Sequence, residues 1–217
     1  KSHEDYWLNS ARFLISATVL HLRATEPDAP FCRLADFITM HSFEELQTIL
    51  PKSPSPEARR KAATFLSYMS RNERLVGSIM TDIVGRFQLL DSDDVRAATA
   101  INTIDFDQMI EAPTALYLSL PYTEVDLYCP LLACFTTQMF RAWSEHVKSR
   151  EARTLPRGIA CYMDEFANLG YIPGYPRFVS IARYLGVSLI MVTQDFDQVD
   201  ELYGKSGATN IQTNAKT

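Results

Sequence analysis

The stretch that most constrains the fold runs from Gly158 to Gly170 and reads GIACYMDEFANLG. Its apolar residues, Ile159 to Met163, predict a short buried strand that leads directly into the acids Asp164 and Glu165. Because a buried strand is rigid and shielded from water, it fixes the orientation of the residues that follow it. The two carboxylates are therefore expected side by side at the carboxyl end of a strand.

An apolar strand that ends in Asp-Glu is what the second nucleotide motif of P-loop ATPases, the Walker B motif, requires. In such a motif Asp164 would bind a Mg²⁺ ion that bridges the nucleotide phosphates, and Glu165 would orient or deprotonate the attacking water. Apolar runs followed by two acids are common. On these residues alone, a strand followed by a solvated acidic turn therefore stays open as the alternative.

The second half of the chain, from about Thr103, alternates predicted strands with predicted helices. This order predicts an α/β fold with a parallel sheet and right-handed crossovers. The apolar strands do not alternate with polar residues, which favours a sheet covered on both faces. The predicted strands are Thr114–Leu120, Ile159–Met163 and Val187–Val192. The predicted helices are a short segment at Asp105–Ile110, then Val125–Lys148, Arg177–Leu185 and Phe196–Tyr203, with a final segment Ala208–Asn214.

Residues 1–102 have helical patterns and no convincing strand. Apolar residues recur three and four positions apart from Asp5 to Ala24, as in an amphipathic helix. Ser42 and Glu45 have the spacing of a capping box, which predicts a helix that begins at Phe43. Because nothing here has catalytic spacing, this all-α region is expected to serve in interactions. Further helices are predicted over Leu34–Met40, Pro56–Arg71 and Glu73–Leu90.

A cluster of basic residues is notable because the chain as a whole is acidic, with a formal net charge of −5. With Phe65 and Tyr68 between its members, the cluster predicts a contact for DNA phosphates or for an acidic partner. The more common meaning of such a cluster is a solvated helix face. The basic cluster comprises Lys52, Arg59, Arg60, Lys61, Arg71 and Arg74.

The sequence Gly204-Lys205-Ser206 matches the end of a phosphate-binding loop. The earlier glycine of such a loop would fall on Val199, within a predicted helix, and no strand leads into it. We therefore interpret Gly204 as a helix end followed by a polar turn. Without a phosphate-binding loop, the acids lack the backbone amides and the lysine that hold a nucleotide. The chain alone is expected to bind ATP weakly or not at all.

Several segments together resemble the type IV secretion coupling proteins, which are TraG/TraD-type ATPases of conjugation and effector secretion. The segments read DEFANLGYIP, IARYLGVSLIMVTQ and ELYGKSGA in the last third and, more loosely, DYWLNSARFLISATVLHL near the start. The resemblance implies a partial RecA-like P-loop NTPase sheet with an inserted all-α domain. The all-α domain would be residues 1–102, and 103–217 would be the C-terminal part of the RecA-like domain, with its Walker B and sensor region. The phosphate loop of that family would lie upstream of Lys1.

The resemblance also implies roles for residues whose patterns are ambiguous on their own. Gln194, at the end of SLIMVTQ, would sense the γ-phosphate by hydrogen bonding; otherwise it is a strand-end glutamine that meets solvent. Arg183 would be an arginine finger that reaches the nucleotide of a neighbouring subunit. Its alternative is a surface cation favoured at a helix C terminus. Asn168 and Gly170 would shape the loop after the acids, and ATP and Mg²⁺ are the implied cofactors.

As a whole, the resemblance implies an ATPase that works as a homo-hexameric ring, of which this chain would be a cytoplasmic fragment. ATP hydrolysis would drive delivery of a relaxase–DNA complex or of effector proteins to the type IV secretion channel. The location would be the cytoplasmic face of the bacterial inner membrane, with the anchor outside these residues. Two alternatives stay open: a DNA-translocating motor of the septal type, and a non-catalytic module that binds substrate or adaptor.

Overall fold

The structure is a computed structural model, and it describes residues 2–69 and 73–215. The chain divides into two compact units, Lys1–Asn102 and Thr103–Thr217. Each unit has a hydrophobic core of its own. Within the described residues, no helix combines the length and apolar character that a membrane span requires.

The described part of the first unit is built from helices and contains no strand. Its core includes Leu14 from the first helix and Phe65 from the fourth, both fully buried. Such apolar faces are what the helical periodicity of the sequence predicts. The helices are α1 (Ser2–Thr25), α2 (Arg33–Met40), α3 (Phe43–Ile49), α4 (Pro56–Met69), α5 (Glu73–Phe87) and α6 (Asp93–Thr99), with 3₁₀ turns at Leu50–Lys52 and Gln88–Asp91.

Most of the helices and caps predicted for this unit are confirmed. Ser42 Oγ accepts a hydrogen bond from the Glu45 amide at 3.2 Å, and the Glu45 carboxylate accepts from the Ser42 amide at 2.7 Å, so the capping box is present. The helix predicted over Glu73–Leu90 ends at Phe87 and continues as a 3₁₀ turn. Helix α6 was not predicted, because its seven residues bury only Val95 and so have no apolar period.

A bidentate ion pair connects helix α6 to α2. The Arg96 guanidinium donates to the two carboxylate oxygens of Asp36, at 2.6 and 3.2 Å. These hydrogen bonds from Arg96 lower the pKa of Asp36 below its ordinary value. The ionised form is therefore favoured in the folded state, and the pair connects residues 60 positions apart in the chain.

We expect Asp36→Asn to lower the Tm of the chain at pH 7 by about 2–5 °C, since it removes a bidentate charged contact. Because the folded-state pKa of Asp36 is lowered, its contribution is fully present above the ordinary aspartate pKa of about 4. The contribution is lost as the pH falls through the folded-state pKa. Thermal unfolding between pH 7 and pH 2 should therefore show the two proteins converging.

The matched control is Asp82→Asn, which removes an exposed pair with Arg86 four residues along the same helix. We expect that change to shift the Tm by less than about 1 °C. Equal effects of the two substitutions would contradict the special contribution of the α2–α6 contact.

The second unit is helix-rich and contains a small parallel sheet. Its two strands pair in register from Ile159 opposite Val187 to Met163 opposite Met191. The predicted α/β class and the parallel pairing are confirmed at this level. The elements are α7 (Phe106–Glu111), α8 (Val125–Ser149), β1 (Ile159–Met163), α9 (Tyr175–Leu185), β2 (Val187–Met191) and α10 (Phe196–Asn214), with 3₁₀ turns at Tyr122–Glu124 and Phe166–Leu169.

The strand predicted over Thr114–Leu120 is wrong. The segment has no regular structure, and most of it is exposed, with Tyr117 89% accessible. A β-strand needs a hydrogen-bonding neighbour, and in the described part of the chain β1 pairs with β2 alone. The β-forming residues of this segment are therefore not sufficient to make it a strand.

The expectation of a sheet covered on both faces is also wrong for the described residues. Cys161, Met163 and Leu189 belong to the face that packs on the core of the second unit. On the opposite face Tyr162 is 76% accessible and Ile190 is exposed. The strands are apolar on both faces, but only one face is covered here.

The helix end predicted at Gly204 is confirmed only as a break in the helix, and the polar turn predicted after it is wrong, because residues 205–214 are helical. Gly204 has φ 67° and ψ 161° and kinks α10, which continues beyond it to Asn214. The positive φ explains the glycine, because other residues rarely adopt it. Gly204-Lys205-Ser206 thus lies across a helix kink and does not connect a strand to a helix, as a phosphate-binding loop does.

Candidate functional site

Three of the predicted site residues follow the two strands. Asp164 and Glu165 come directly after β1, and Gln194 comes three residues after the end of β2. Because the strands are parallel, their carboxyl ends meet at the same edge of the sheet. The Gln194 side-chain amide donates to Glu165 Oε1 at 2.8 Å. The structure therefore brings Glu165 and Gln194 into direct contact, although 29 positions separate them in the chain.

Strand pairing continues past the end of β1 and positions the acidic turn. The Val192 amide donates to Met163 O at 3.0 Å, and the Phe166 amide donates to Val192 O at 2.7 Å. Between these two bonds, Glu165 adopts a left-handed conformation with φ 52° and ψ 52°. That conformation costs a residue with a side chain about 1–2 kcal/mol, so the surrounding contacts must compensate for it.

The Phe166 side chain supplies much of that compensation. It is 1% accessible, and its ring lies 4.8 Å from the Tyr175 ring and 6.0 Å from the Tyr203 ring between centroids. Burial of a phenylalanine side chain contributes about 1.5–3 kcal/mol. The acidic turn is therefore anchored by an aromatic core directly beneath it.

The aromatic core under the turn is neutral. Burial raises the pKa of Tyr203 to about 12 and also raises the pKa of Tyr175. The Tyr175 hydroxyl donates to Met163 Sδ at 3.4 Å, and the Tyr203 hydroxyl accepts from the Ile172 amide at 3.0 Å. Both tyrosines stay protonated near neutral pH, so they add no negative charge to the site.

Asn168 makes a contact that sequence reasoning did not predict. Its side-chain amide donates to Glu165 Oε2 at 2.8 Å, so both oxygens of Glu165 accept bonds from amide groups. The Asn168 carbonyl in turn accepts from the Cys129 thiol of α8 at 3.2 Å. The sequence places Asn168 near the acids, but the direction of its side chain depends on the 3₁₀ turn.

Asp164 is exposed and has no hydrogen-bond or ion-pair partner within the residues that the structure describes. A single free carboxylate at a strand end suits Mg²⁺, which uses one or two carboxylates and completes its coordination with phosphate and water. No group of three or more potential metal ligands occurs among the described residues. The residues present therefore fit a Mg²⁺ ion that arrives with phosphates.

Arg183 is not brought to the acids of its own chain. It lies in the last turn of α9, just before β2 begins at Val187, and therefore at the amino end of that strand. Glu165 lies at the carboxyl end of the sheet, and five residues of strand span about 13 Å. The Arg183 side chain is exposed and has no partner in the described part of the chain.

The sequence profile of a family described as Type IV secretory system Conjugative DNA transfer matches residues 1–217, the whole chain. The chain belongs to this conjugative DNA-transfer family. The resemblance to type IV coupling proteins seen in the sequence is thereby confirmed. A comparison with curated protein sequences found no match.

Solved structures of the plasmid coupling protein TrwB share the fold of this family member. Three of them are complexes with the GTP analogue GDPNP, with the ATP analogue ADPNP, and with ADP and Mg²⁺. Each has a TM-score of 0.65 and 15–16% sequence identity. The match covers 99% of this chain and 48% of TrwB, so the chain spans about half the length of these structures.

The basic cluster of this family member is partly a surface feature. Lys52, Arg59 and Arg60 are exposed, and Arg59 also donates to the carbonyls that precede α4. Lys61 lies 5.5 Å from the centre of the Phe13 ring. Of the two aromatic residues between the members of the cluster, Phe65 is buried in the core and only Tyr68 is exposed. Arg71 lies outside the described residues, and so does the side chain of Arg74.

We expect Phe166→Ala to lower the free energy of unfolding by about 3–5 kcal/mol, because it leaves a cavity beneath the acidic turn. Phe196→Ala is the control, since Phe196 is 45% accessible; its effect should be about 1 kcal/mol or less. Urea unfolding of the two variants measures the difference. Similar losses would contradict the role of Phe166 as the anchor.

Proposed function

We propose that this chain is part of a coupling ATPase that drives conjugative transfer by ATP hydrolysis. The second unit would be the C-terminal part of a RecA-like nucleotide-binding domain, and the first unit an all-α domain inserted into it. The observation that carries the proposal is the contact between Glu165, after β1, and Gln194, after β2. This contact places an acid and an amide side by side where parallel α/β sheets bind ligands.

The three side chains have separate roles in the proposed reaction. Mg²⁺, when bound, neutralises phosphate charge, and Asp164 would hold it. Glu165 would orient the attacking water and accept its proton as the oxygen attacks the γ-phosphorus and the bond to ADP breaks. Gln194, whose amide carries two N–H donors, can bond to Glu165 and to the γ-phosphate at once. In that position it would report whether the γ-phosphate is present.

The residues that hold the phosphates would come from outside this chain. The 217 residues contain no Gly-x-x-x-x-Gly-Lys-Ser/Thr sequence, and Gly204-Lys205-Ser206 spans a helix kink. We therefore propose that a phosphate-binding loop elsewhere in the full-length protein completes the site. Residues 1–217 alone would bind ATP weakly or not at all and would lack activity.

Arg183 would act between subunits of a hexameric ring. It is exposed and free of partners within the described residues, and it lies at the end of β2 away from the acids of its own chain. An arginine in that position suits a neighbouring subunit, where it would stabilise charge on the transferred phosphoryl group.

The first unit would recruit the transferred substrate, either a relaxase–DNA complex or effector proteins, for delivery to the type IV secretion channel. The exposed members of its basic cluster, Lys52, Arg59 and Arg60, would contact DNA phosphates. The assembly would work at the cytoplasmic face of the bacterial inner membrane. A non-catalytic module that binds substrate or adaptor is the second candidate.

The test is ATP hydrolysis by the full-length protein with Glu165→Gln. We expect kcat to fall by about 10²-fold or more, because the glutamine cannot accept the proton of the attacking water. Lys205→Ala is the control and should keep the parent rate, since Lys205 lies in α10 and not in a phosphate loop. Turnover that is absent, or unchanged by Glu165→Gln, would favour the non-catalytic module.

Arg183→Ala is expected to lower kcat of the full-length protein by at least about 10²-fold. A mixture of Arg183→Ala and Glu165→Gln subunits should recover activity, because some interfaces then combine an intact Glu165 with an intact Arg183 from the neighbour. If Arg183 acted within its own chain or only on the surface, mixing would restore nothing. Hydrolysis measured against mixing ratio distinguishes these outcomes.

A further inference from the structure

Glu165 is held from both sides by amide groups that reach it from different elements. Asn168 Nδ2 donates to Oε2 at 2.8 Å, and Gln194 Nε2 donates to Oε1 at 2.8 Å. An exposed glutamate side chain is otherwise free to change rotamers. Restricting it to one rotamer costs conformational entropy. Two donors on its two oxygens fix the plane of the carboxylate as well as its position.

Asn168 itself is held firmly enough to act as a fixed donor. Its backbone amide donates to Glu165 O at 2.8 Å, and its carbonyl accepts from the Cys129 thiol of α8 at 3.2 Å. The loop continues to Gly170, whose φ is +70°. A Cβ at Gly170 would lie 3.3 Å from Cys129, so the glycine allows the loop to lie against α8.

We propose that Asn168 is the positioning residue for Glu165, an inference that rests on the proposed function of Glu165 as the base. Gln194 is shared between Glu165 and the γ-phosphate, whereas the Asn168 amide serves Glu165 from within the same turn. Each carboxylate oxygen accepts two hydrogen bonds, so the amides leave one acceptor site on each oxygen for water. Asn168 therefore orients the base without occupying it.

The test compares Asn168→Ala and Asn168→Asp in ATP hydrolysis by the full-length protein. Asn168→Ala removes the donor, and we expect kcat to fall about tenfold with KM for ATP unchanged. Asn168→Asp keeps the shape but places a carboxylate against Glu165, so kcat should fall further than with alanine. If Asn168 only filled the loop, Asn168→Asp would have the kcat of the parent and Asn168→Ala would have the lower kcat. That outcome would overturn the proposal.

Two further comparisons separate this inference from the proposed function. Adding Asn168→Ala to Glu165→Gln should not lower the residual rate again, because Asn168 acts through Glu165. An additive loss, or an effect confined to KM, would overturn the positioning role. If Glu165→Gln abolishes turnover while both Asn168 variants equal the parent, this inference fails and the proposed function stands. If Glu165→Gln is fully active, both fail.

Discussion

The arrangement at the sheet edge depends on backbone pairing that continues past the ends of two short parallel strands. Val192 donates to Met163, and Phe166 donates to Val192, so the chain after β1 is attached to the chain after β2. Glu165 lies between these bonds and meets Gln194 at 2.8 Å. If the register slipped by one residue, the side chains would exchange faces and the contact would be lost.

The same pairing explains why the turn tolerates an unfavourable backbone conformation. Glu165 has a positive φ, which a residue with a side chain adopts only when the surroundings require it. The buried ring of Phe166 on one side and the strand bonds on the other meet that requirement. Strain at a carboxylate proposed as the catalytic base, supported by a rigid aromatic core, is the arrangement expected where geometry matters more than local stability.

Membership of the conjugative DNA-transfer family and similarity of fold to TrwB contribute different information. The family match extends over all 217 residues, whereas the TrwB structures share 15–16% identity and extend to about twice the matched length. At that identity the fold is the shared property. The candidate chemistry therefore depends on this chain's own residues. Asp164, Glu165 and Gln194 supply two carboxylates and an amide, and the 217 residues contain no phosphate-binding loop sequence.

The sequence by itself determined most helix caps, helix breaks and amphipathic helices, because these features depend on residues that are close together in the chain. The capping box at Ser42, the break in the helix at Gly204 and the strand that delivers Asp164 and Glu165 all follow from such patterns, whereas the continuation of α10 beyond Gly204 does not. The tertiary structure decided what distant residues do. Among the described residues, the segment Thr114–Leu120 has β-forming residues but no strand to pair with, and one face of the sheet has no layer packed over it. Packing and strand register likewise set the direction of the Asn168 side chain toward Glu165. They also keep Arg183 away from the acidic residues after β1. These depend on contacts between residues far apart in the chain, which a local pattern does not contain.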